Sequence, residues 1–179
     1  MDKAILEKKI TLDDMQFNTD DFLEIEIGII GKYTGSQDTY LSINRSLEIA
    51  SINNKRKLKI RWISSELEFS EIDREIDLCD SVIIPGGFGT RGIEGMIRAS
   101  SKCRKENKKL LGICLGFQIL CIEYARNVLG MSDANSTEFD KNTKHPIIIP
   151  VASEEYLGGT MRLGNMVITL DDSINNIYK

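Results

Sequence analysis

"GICLG", residues 112–116, places a cysteine between two glycines where two hydrophobic patterns meet. It follows the apolar run of a strand and precedes FQILCIEYARNVLG, whose apolar residues recur at helical spacing. A G-x-nucleophile-x-G turn puts its central residue on a sharp bend, and glycines two positions away on each side let strand and helix pack closely. The pentapeptide therefore predicts a strand, a tight elbow at Cys114 and a helix.

The same alternation of strands and helices extends outward from the elbow. Apolar, mostly β-branched runs predict strands at EIEIGIIGKY, LKIRWI, DSVIIPGG and KKLLGIC. Helical spacing predicts helices at QDTYLSINRSLEIASI, IEGMIRASSKCRKEN and LGFQILCIEYARNVLG, the last with Gly130 as its stop. The segment EFSEIDREIDLC is predicted to be a short helix or a connection. Strands of this kind that alternate with helices indicate an α/β fold of three layers, a mostly parallel sheet with helices on both faces.

The two ends of the chain are less regular. Residues 1–23 are charged and have no strand period, so we interpret them as a leader or linker and place one domain at residues 24–179. After Gly130 the sequence predicts a loop, a strand at IIIPV and a hairpin at GGTMRLGNMVITL.

Composition excludes several functional classes. The 179 residues carry a net charge of −4, which argues against nucleic-acid and membrane-surface partners. No apolar stretch approaches the roughly 18–20 residues that span a bilayer. The four cysteines have no CxxC pair, so neither a zinc site nor a disulfide framework is indicated, and a reduced cytoplasmic location is expected.

The elbow suggests nucleophilic chemistry. The helix that follows Cys114 points its positive dipole end at the sulfur, which favours the reactive thiolate. The N–H of Leu115 would lie beside any carbonyl that the thiol attacks and would supply half of an oxyanion hole. A buried structural cysteine beside packing glycines is the alternative that the pentapeptide alone leaves open.

A second glycine-rich turn, IIPGGFG at residues 83–89, also follows a strand. Its backbone N–H groups could supply the other oxyanion donor, because the carboxyl ends of parallel strands share one edge of the sheet. A simple glycine turn and a phosphate-binding nest are the alternatives. A P-loop is excluded at both GFGTRG and GIIGKYTGS, because neither has Gly-Lys-Ser/Thr at the required spacing.

Five segments together resemble the glutamine amidotransferase domain of the CTP synthase family. They are IGIIGKYTGSQDTYLSINRSLEIA, IIPGGFGTRGIEGMI, GICLGFQ, ARNVLGMSDANSTEFD and GGTMRLG, in this order. The resemblance implies hydrolysis of L-glutamine through a cysteine thioester, which supplies ammonia for the ATP-dependent amination of UTP to CTP. It implies the corresponding class I amidotransferase fold, which is flavodoxin-like.

The resemblance also implies site residues. Cys114 matches the nucleophile, and Gly87 matches a glycine that contacts glutamine and helps form the oxyanion hole. Glu138 matches the acid that holds the amino-acid end of glutamine, which carries an ammonium; without the resemblance it would be an ordinary loop carboxylate. The segment that cradles the substrate matches Leu115, Gly116, Phe117 and Gln118.

Cofactors and partners follow from the same resemblance. The resemblance implies that this domain has no cofactor and no metal site. It implies that ATP and Mg²⁺ are used by a separate synthetase domain. GGTMRLG matches a mobile lid near the place where GTP acts as an allosteric activator; Arg162 there is either a nucleotide contact or a surface residue. A homo-oligomer, a tetramer in the full enzyme, is expected.

Two parts of such an enzyme are not found in the sequence. Family members carry a synthetase domain before this one and an H-x-E unit with the triad base near their C-terminus, whereas this sequence ends at NNIYK. His145 precedes Pro146, which favours extended backbone, and we interpret it as structural or solvated rather than as the base. We therefore expect little or no glutaminase turnover from the isolated chain.

Two other functions stay open at this point. One is a non-catalytic module that has kept the fold and binds glutamine or a synthetase partner. The other is a different class I amidotransferase or a cysteine hydrolase of similar fold, against which ANSTEF and GGTMRLG argue.

Overall fold

The computed structural model describes residues 22–35 and 37–149. Its main sheet is parallel throughout, with the strand order β2-β1-β3-β4. The four strands are β1 (Leu23–Gly31), β2 (Arg56–Ser64), β3 (Ser81–Ile84) and β4 (Lys109–Gly112). All four coincide with the predicted strands, so the predicted parallel sheet is confirmed.

A helix follows each of these strands; three are predicted by the hydrophobic spacing, and EFSEIDREIDLC, predicted as a short helix or a connection, forms a helix. The helices are α1 (Leu41–Asn53), α2 (Phe69–Asp77), α3 (Ile93–Lys105) and α4 (Leu115–Asn127). Three of them, α2, α3 and α4, pack side by side on one face of the sheet, and α1 packs against β2 on the other. The three-layer arrangement is therefore confirmed.

The core lies between the sheet and the face that carries α2, α3 and α4. Alternate strand residues point into it, among them Ile30 on β1, Ile63 on β2 and Ile84 on β3, and all three are fully buried. Each buried isoleucine contributes about 1.5–3 kcal/mol through removal of apolar surface from water. Ile29 points to the opposite face, as the two-residue period of a strand requires.

Helix boundaries differ in detail from the prediction. Residues Gln37–Tyr40 form a 3-10 turn before α1, a common way for a helix to begin. At the other end, α4 stops at Asn127, and Gly130 adopts a left-handed φ of 74° just beyond it. A left-handed glycine after the last turn is a frequent helix terminator, so Gly130 ends the helical path although it lies three residues past the helix.

Beyond α4 a loop leads to a small parallel pair, β5 (Asn135–Ser136) and β6 (Pro146–Ile148). β6 lies within the predicted strand IIIPV. The predicted hairpin at GGTMRLGNMVITL with Arg162, and residues 1–21 of the predicted leader, lie outside the described residues. Leu23, assigned to the leader, begins β1 instead. None of the described helices is long and apolar enough to cross a membrane.

The register of the sheet brings three strand ends to one place. Ile84 at the end of β3 pairs with Gly112 at the end of β4, and Gly31 ends β1 at the same edge. The segments that follow these residues start KYTG, PGGFG and ICLG. They converge at the carboxyl edge, where ligands bind in open α/β sheets.

Candidate active site

Cys114 lies on the elbow between β4 and α4. Its backbone has φ 55° and ψ −110°, a combination that costs a non-glycine residue of the order of 1–3 kcal/mol. Backbone hydrogen bonds hold the bend: Ile113 donates to the carbonyl of Ile84 at 2.9 Å, and Gln118 donates to that of Cys114 at 3.2 Å. The strained bend leaves the Cys114 side chain exposed at the start of α4.

The two glycines of the pentapeptide are required by close backbone contact. A Cβ on Gly116 would lie 1.9 Å from the carbonyl oxygen of Ile84, and one on Gly112 would lie 2.6 Å from the carbonyl carbon of Gly116. Both neighbours are backbone atoms, which cannot turn aside as a flexible side chain does. The elbow is therefore closed by packing of α4 directly onto β3 and β4, as the sequence predicts.

The second glycine-rich turn lies beside the cysteine. A Cβ on Gly86 would lie 3.6 Å from the Cβ of Cys114, and one on Gly87 would lie 3.2 Å from Cδ2 of Leu115. A cleft of about 290 Å³ opens next to them. Its lining residues are Tyr33, Thr39, Tyr40, Ser42, Ile43, Gly86, Gly87, Phe88 and Cys114. Strand order has thus brought together two turns that are separated by more than twenty residues of sequence.

Side chains from distant parts of the chain hold the second turn. Lys32 Nζ donates to the carbonyl oxygens of Phe88, at 2.9 Å, and of Gly89. From the other direction, the N–H of Gly89 donates to Oε1 of Glu138 at 3.0 Å. The N–H of Glu138 in turn donates to Oγ of Ser136 at 3.2 Å, which fixes the acid at the end of β5.

Arg91 strengthens the attachment of the Lys32 segment. It donates to the carbonyl oxygen of Lys32 at 3.0 Å, pairs with Glu66, and lies 5.7 Å from the ring centre of Tyr33. A guanidinium over an aromatic face is an attractive arrangement. The segment after β1 and the segment after β3 are therefore connected through both the side chain and the backbone carbonyl of Lys32.

The other predicted site residues lie on the first turn of α4. The side chain of Leu115 is buried, that of Phe117 is exposed and that of Gln118 is half-buried. Gln118 lies one turn along the helix from Cys114, as its spacing predicts. The positions agree with a shared site, and the roles of these residues in binding stay predictions.

His145 is held in a different environment. Its Nδ1 lies against Oδ1 of Asp133, and this contact is the largest of the effects that keep the pKa of Asp133 below its usual value. The same loop is tied by Thr143, whose hydroxyl donates to the carbonyl of Asp133 at 2.6 Å. The ring thus stabilises the loop that carries Glu138. His145 is not among the residues that line the cleft beside Cys114.

The remaining cysteines differ from Cys114 in exposure. Cys79 and Cys103 are buried, and burial raises the pKa of each thiol to about 11. Burial also raises the pKa of Cys121, which is half-buried. Within residues 22–35 and 37–149, no three His, Cys, Asp or Glu side chains come together as a metal site. Among the four thiols, that of Cys114 is the exposed one at the cleft.

Sequence reasoning missed the roles of Lys32 and Arg91 in this arrangement. The sequence places Lys32 at the end of a predicted strand and Arg91 within the segment GFGTRG, but it predicts no contact for either side chain. A usable signal exists for Lys32: a lysine directly after a buried strand, in a parallel sheet, must lie at the carboxyl edge. Its partners, however, are backbone carbonyls more than fifty residues away, and no side-chain pattern marks them.

Comparison with known proteins identifies similar domains. The family described as glutamine amidotransferase class-I matches residues 36–177. A CTP synthase of Mycoplasma capricolum subsp. capricolum is 47% identical over 160 residues, which are 87% of this chain and 30% of that protein. A CTP synthase of Pyrococcus furiosus is 48% identical over 143 residues, 78% of this chain and 27% of that protein. This chain therefore spans less than a third of the length of these curated relatives.

A solved structure gives the same result for the fold. The glutaminase domain of Trypanosoma brucei CTPS, with bound acivicin, is similar with a TM-score of 0.66 and 38% sequence identity. The similarity covers 70% of this chain and 49% of that one.

Proposed function

The chain belongs to the class-I glutamine amidotransferase family, as the amidotransferase domain of the CTP synthases, and we propose that Cys114 is the nucleophile with which the full enzyme hydrolyses L-glutamine. The observation that carries this proposal is the exposed thiol on a strained elbow, with Gly86 and Gly87 beside it. A thiol held on such a bend at the edge of a cleft is arranged for attack on a carbonyl.

The proposed reaction has two steps. Sulfur of Cys114 attacks the side-chain amide carbon of glutamine, the C–N bond breaks, and the nitrogen takes up the proton that the thiol gives up and leaves as ammonia. Water then attacks the thioester, which releases glutamate and restores the thiol. In both steps negative charge develops on the carbonyl oxygen, and the N–H groups of Gly87 and Leu115 are the proposed donors to it.

The amino-acid end of glutamine needs opposite charges at fixed places. Glu138 is the proposed ligand of its ammonium, since its carboxylate is anchored at the turn that borders Cys114. Gln118 and Phe117, on the first turn of α4, are proposed to contact the rest of the substrate, together with the backbone at Leu115 and Gly116. The fixed position of Glu138 supports this assignment, because a charge held in place before binding loses little entropy on binding.

We further propose that the ammonia serves a synthetase domain that aminates UTP to CTP. In that proposal ATP and Mg²⁺ act at the synthetase domain, GTP is an allosteric activator, and the full enzyme is a cytoplasmic homotetramer. These assignments rest on similarity to the CTP synthases.

The test is alkylation with 6-diazo-5-oxo-L-norleucine, a glutamine analogue that alkylates glutaminase thiols. Intact mass and peptide mapping locate the label at pH 8, with and without excess glutamine. We expect one adduct, on Cys114, suppressed by glutamine. Cys79 and Cys103 should stay unlabelled until the protein is unfolded, because their thiols are buried and have pKa values of about 11.

Iodoacetamide provides the control, because it alkylates an accessible thiol without recognising glutamine. If it alkylates Cys114 while the analogue does not, the thiol is accessible but the glutamine pocket is absent, and the proposed function is wrong. Labelling spread over Cys79, Cys103 and Cys121 would contradict it as well.

A further inference from the structure

One peptide group in the second glycine-rich turn is held from both sides by opposite charges. It is the peptide between Phe88 and Gly89. Its carbonyl oxygen accepts from Lys32 Nζ at 2.9 Å, and its N–H donates to Glu138 Oε1 at 3.0 Å. In a trans peptide the C=O and N–H point in opposite directions, so the ammonium and the carboxylate lie at the two ends of one peptide dipole.

This way of holding a loop costs folding free energy, because it buries a charged group. Lys32 is almost completely buried, with 5% of its surface exposed. Its ammonium donates to two backbone carbonyls, and it forms no ion pair with a carboxylate of the described residues. Burial is the largest effect on the pKa of Lys32 and lowers it, while the charge of Glu138 acts in the opposite direction. Burial of an ammonium against neutral carbonyls costs free energy.

The position of the held peptide explains why such a cost is useful. Only Phe88 separates it from Gly86 and Gly87, the residues that lie against Cys114 and Leu115. Gly89 has a left-handed φ of 72°, and a Cβ there would meet no atom of the described residues within 4 Å, so their packing does not fix the turn at this point. Without the two charges, the peptide plane would be free to rotate and to carry Gly87 with it.

We propose that Lys32 is a positioning residue, which with Glu138 fixes the Phe88–Gly89 peptide and thereby aims the Gly87 N–H at the carbonyl attacked by Cys114. The inference rests on the proposed function and adds Lys32 to it. It also gives Glu138 two roles, because Oε1 holds the turn and the same carboxylate is the proposed ligand of the substrate ammonium. One carboxylate then joins substrate binding to the oxyanion donors.

The geometric half of the proposal is tested by NMR on the full chain labelled with ¹⁵N-glycine. An amide proton that is hydrogen-bonded to a carboxylate resonates downfield. In Lys32→Met we expect the Gly89 amide proton to move upfield and to exchange faster with solvent, and in Lys32→Arg to return most of the way. Lys105→Met, a change at an exposed lysine on the last turn of α3, is the matched control and should leave Gly89 unchanged.

The functional half is tested by the kinetics of alkylation with 6-diazo-5-oxo-L-norleucine. In Lys32→Met we expect the maximal rate to fall roughly 10- to 100-fold, the range expected for small misplacements of catalytic groups. The half-saturating concentration of the analogue and the iodoacetamide rate should change little, and Lys32→Arg should recover most of the maximal rate. A purely structural lysine would not separate these quantities.

The outcomes separate the two proposals. An unchanged Gly89 signal in Lys32→Met overturns the positioning role, whatever the alkylation shows. If the wild-type chain is not labelled by the analogue but Gly89 responds as expected, the proposed function fails and the hold on the peptide stands. If Lys32→Met does not fold, Glu138→Gln removes the charge at the other end of the same peptide and must produce the same upfield shift, or the proposal is wrong.

Discussion

The two glycine-rich turns at the carboxyl edge of the sheet are built on different physical principles. At residues 112–116 the backbone itself is the constraint, because Gly116 packs onto the carbonyl of Ile84 with no room for a Cβ. At residues 86–89 the constraint comes from the side chains of Lys32 and Glu138, while the space around Gly89 is open. The first turn is part of the core, and the second is held onto it by charge.

This difference predicts how far a substitution in each turn disturbs the rest of the structure. A turn locked by backbone packing cannot change without moving the helix and strand that form it. A turn held by a few polar contacts can open while the rest of the molecule stays folded, as segments with few buried apolar contacts do. A substitution at the elbow should therefore lower the free energy of unfolding of the whole domain. A substitution in the turn at residues 86–89 should open that turn and leave the rest folded.

The largest effect is expected for Gly116→Ala. Its Cβ would lie 1.9 Å from the carbonyl oxygen of Ile84, so α4 must move away from β3, and we expect the free energy of unfolding to fall by about 3 kcal/mol or more. Urea denaturation followed by circular dichroism measures it. Gly86→Ala is the matched control, because its Cβ would make ordinary contacts of 3.6 Å and 4.0 Å with Cys114. A loss below about 1 kcal/mol in Gly116→Ala would show that the elbow is not locked by packing.

A smaller and local effect is expected for Gly89→Ala. The strain of a left-handed φ in alanine is about 1–2 kcal/mol, but the open space lets the turn relax. We expect faster amide exchange at Gly87 and Gly89, with a urea midpoint close to that of the wild type. If the midpoint falls as far as in Gly116→Ala, the two turns do not differ in the way described.

Replacement of Cys114 should separate the backbone strain of the elbow from the chemistry proposed for its thiol. Cys114→Gly relieves a strain of roughly 1–3 kcal/mol, against a loss of about 0.4–1 kcal/mol from the greater freedom of glycine in the unfolded chain. Cys114→Ala keeps the strain and removes the same thiol. We therefore expect the glycine variant to be more stable than the alanine variant by about 1 kcal/mol. Equal stability in urea denaturation would mean that the bend stores no strain.

The same difference explains what the sequence could predict. The elbow is encoded within five consecutive residues, and the strand and helix patterns on either side confirm each other, so both the fold and Cys114 could be predicted. The turn at residues 86–89 could be recognised as glycine-rich, but its constraint comes from Lys32 and Glu138, which lie about fifty residues away in opposite directions. Lysine-to-carbonyl bonds have no sequence pattern, whereas packing glycines do.

The smallest effect concerns the pH dependence of stability that Lys32 contributes. Burial lowers its pKa in the folded protein below the value of 10.5 that applies to the unfolded chain. Between these two pKa values the unfolded state binds more protons than the folded state, so the contribution of Lys32 to the free energy of unfolding rises with pH. Below that window the ammonium is charged in both states and its burial costs stability.

Lys32→Met, which removes the charge, should therefore be as stable as the wild type or more stable at pH 7, and this advantage should shrink as the pH approaches 10.5. Urea denaturation of both proteins from pH 7 to 10 measures the difference, with Lys105→Met as the control for the loss of one surface charge. If Lys32→Met is instead clearly less stable at pH 7 and its deficit grows as the pH falls, the lysine stabilises the fold. Its burial would then be explained by stability alone, without a role in holding the turn at residues 86–89.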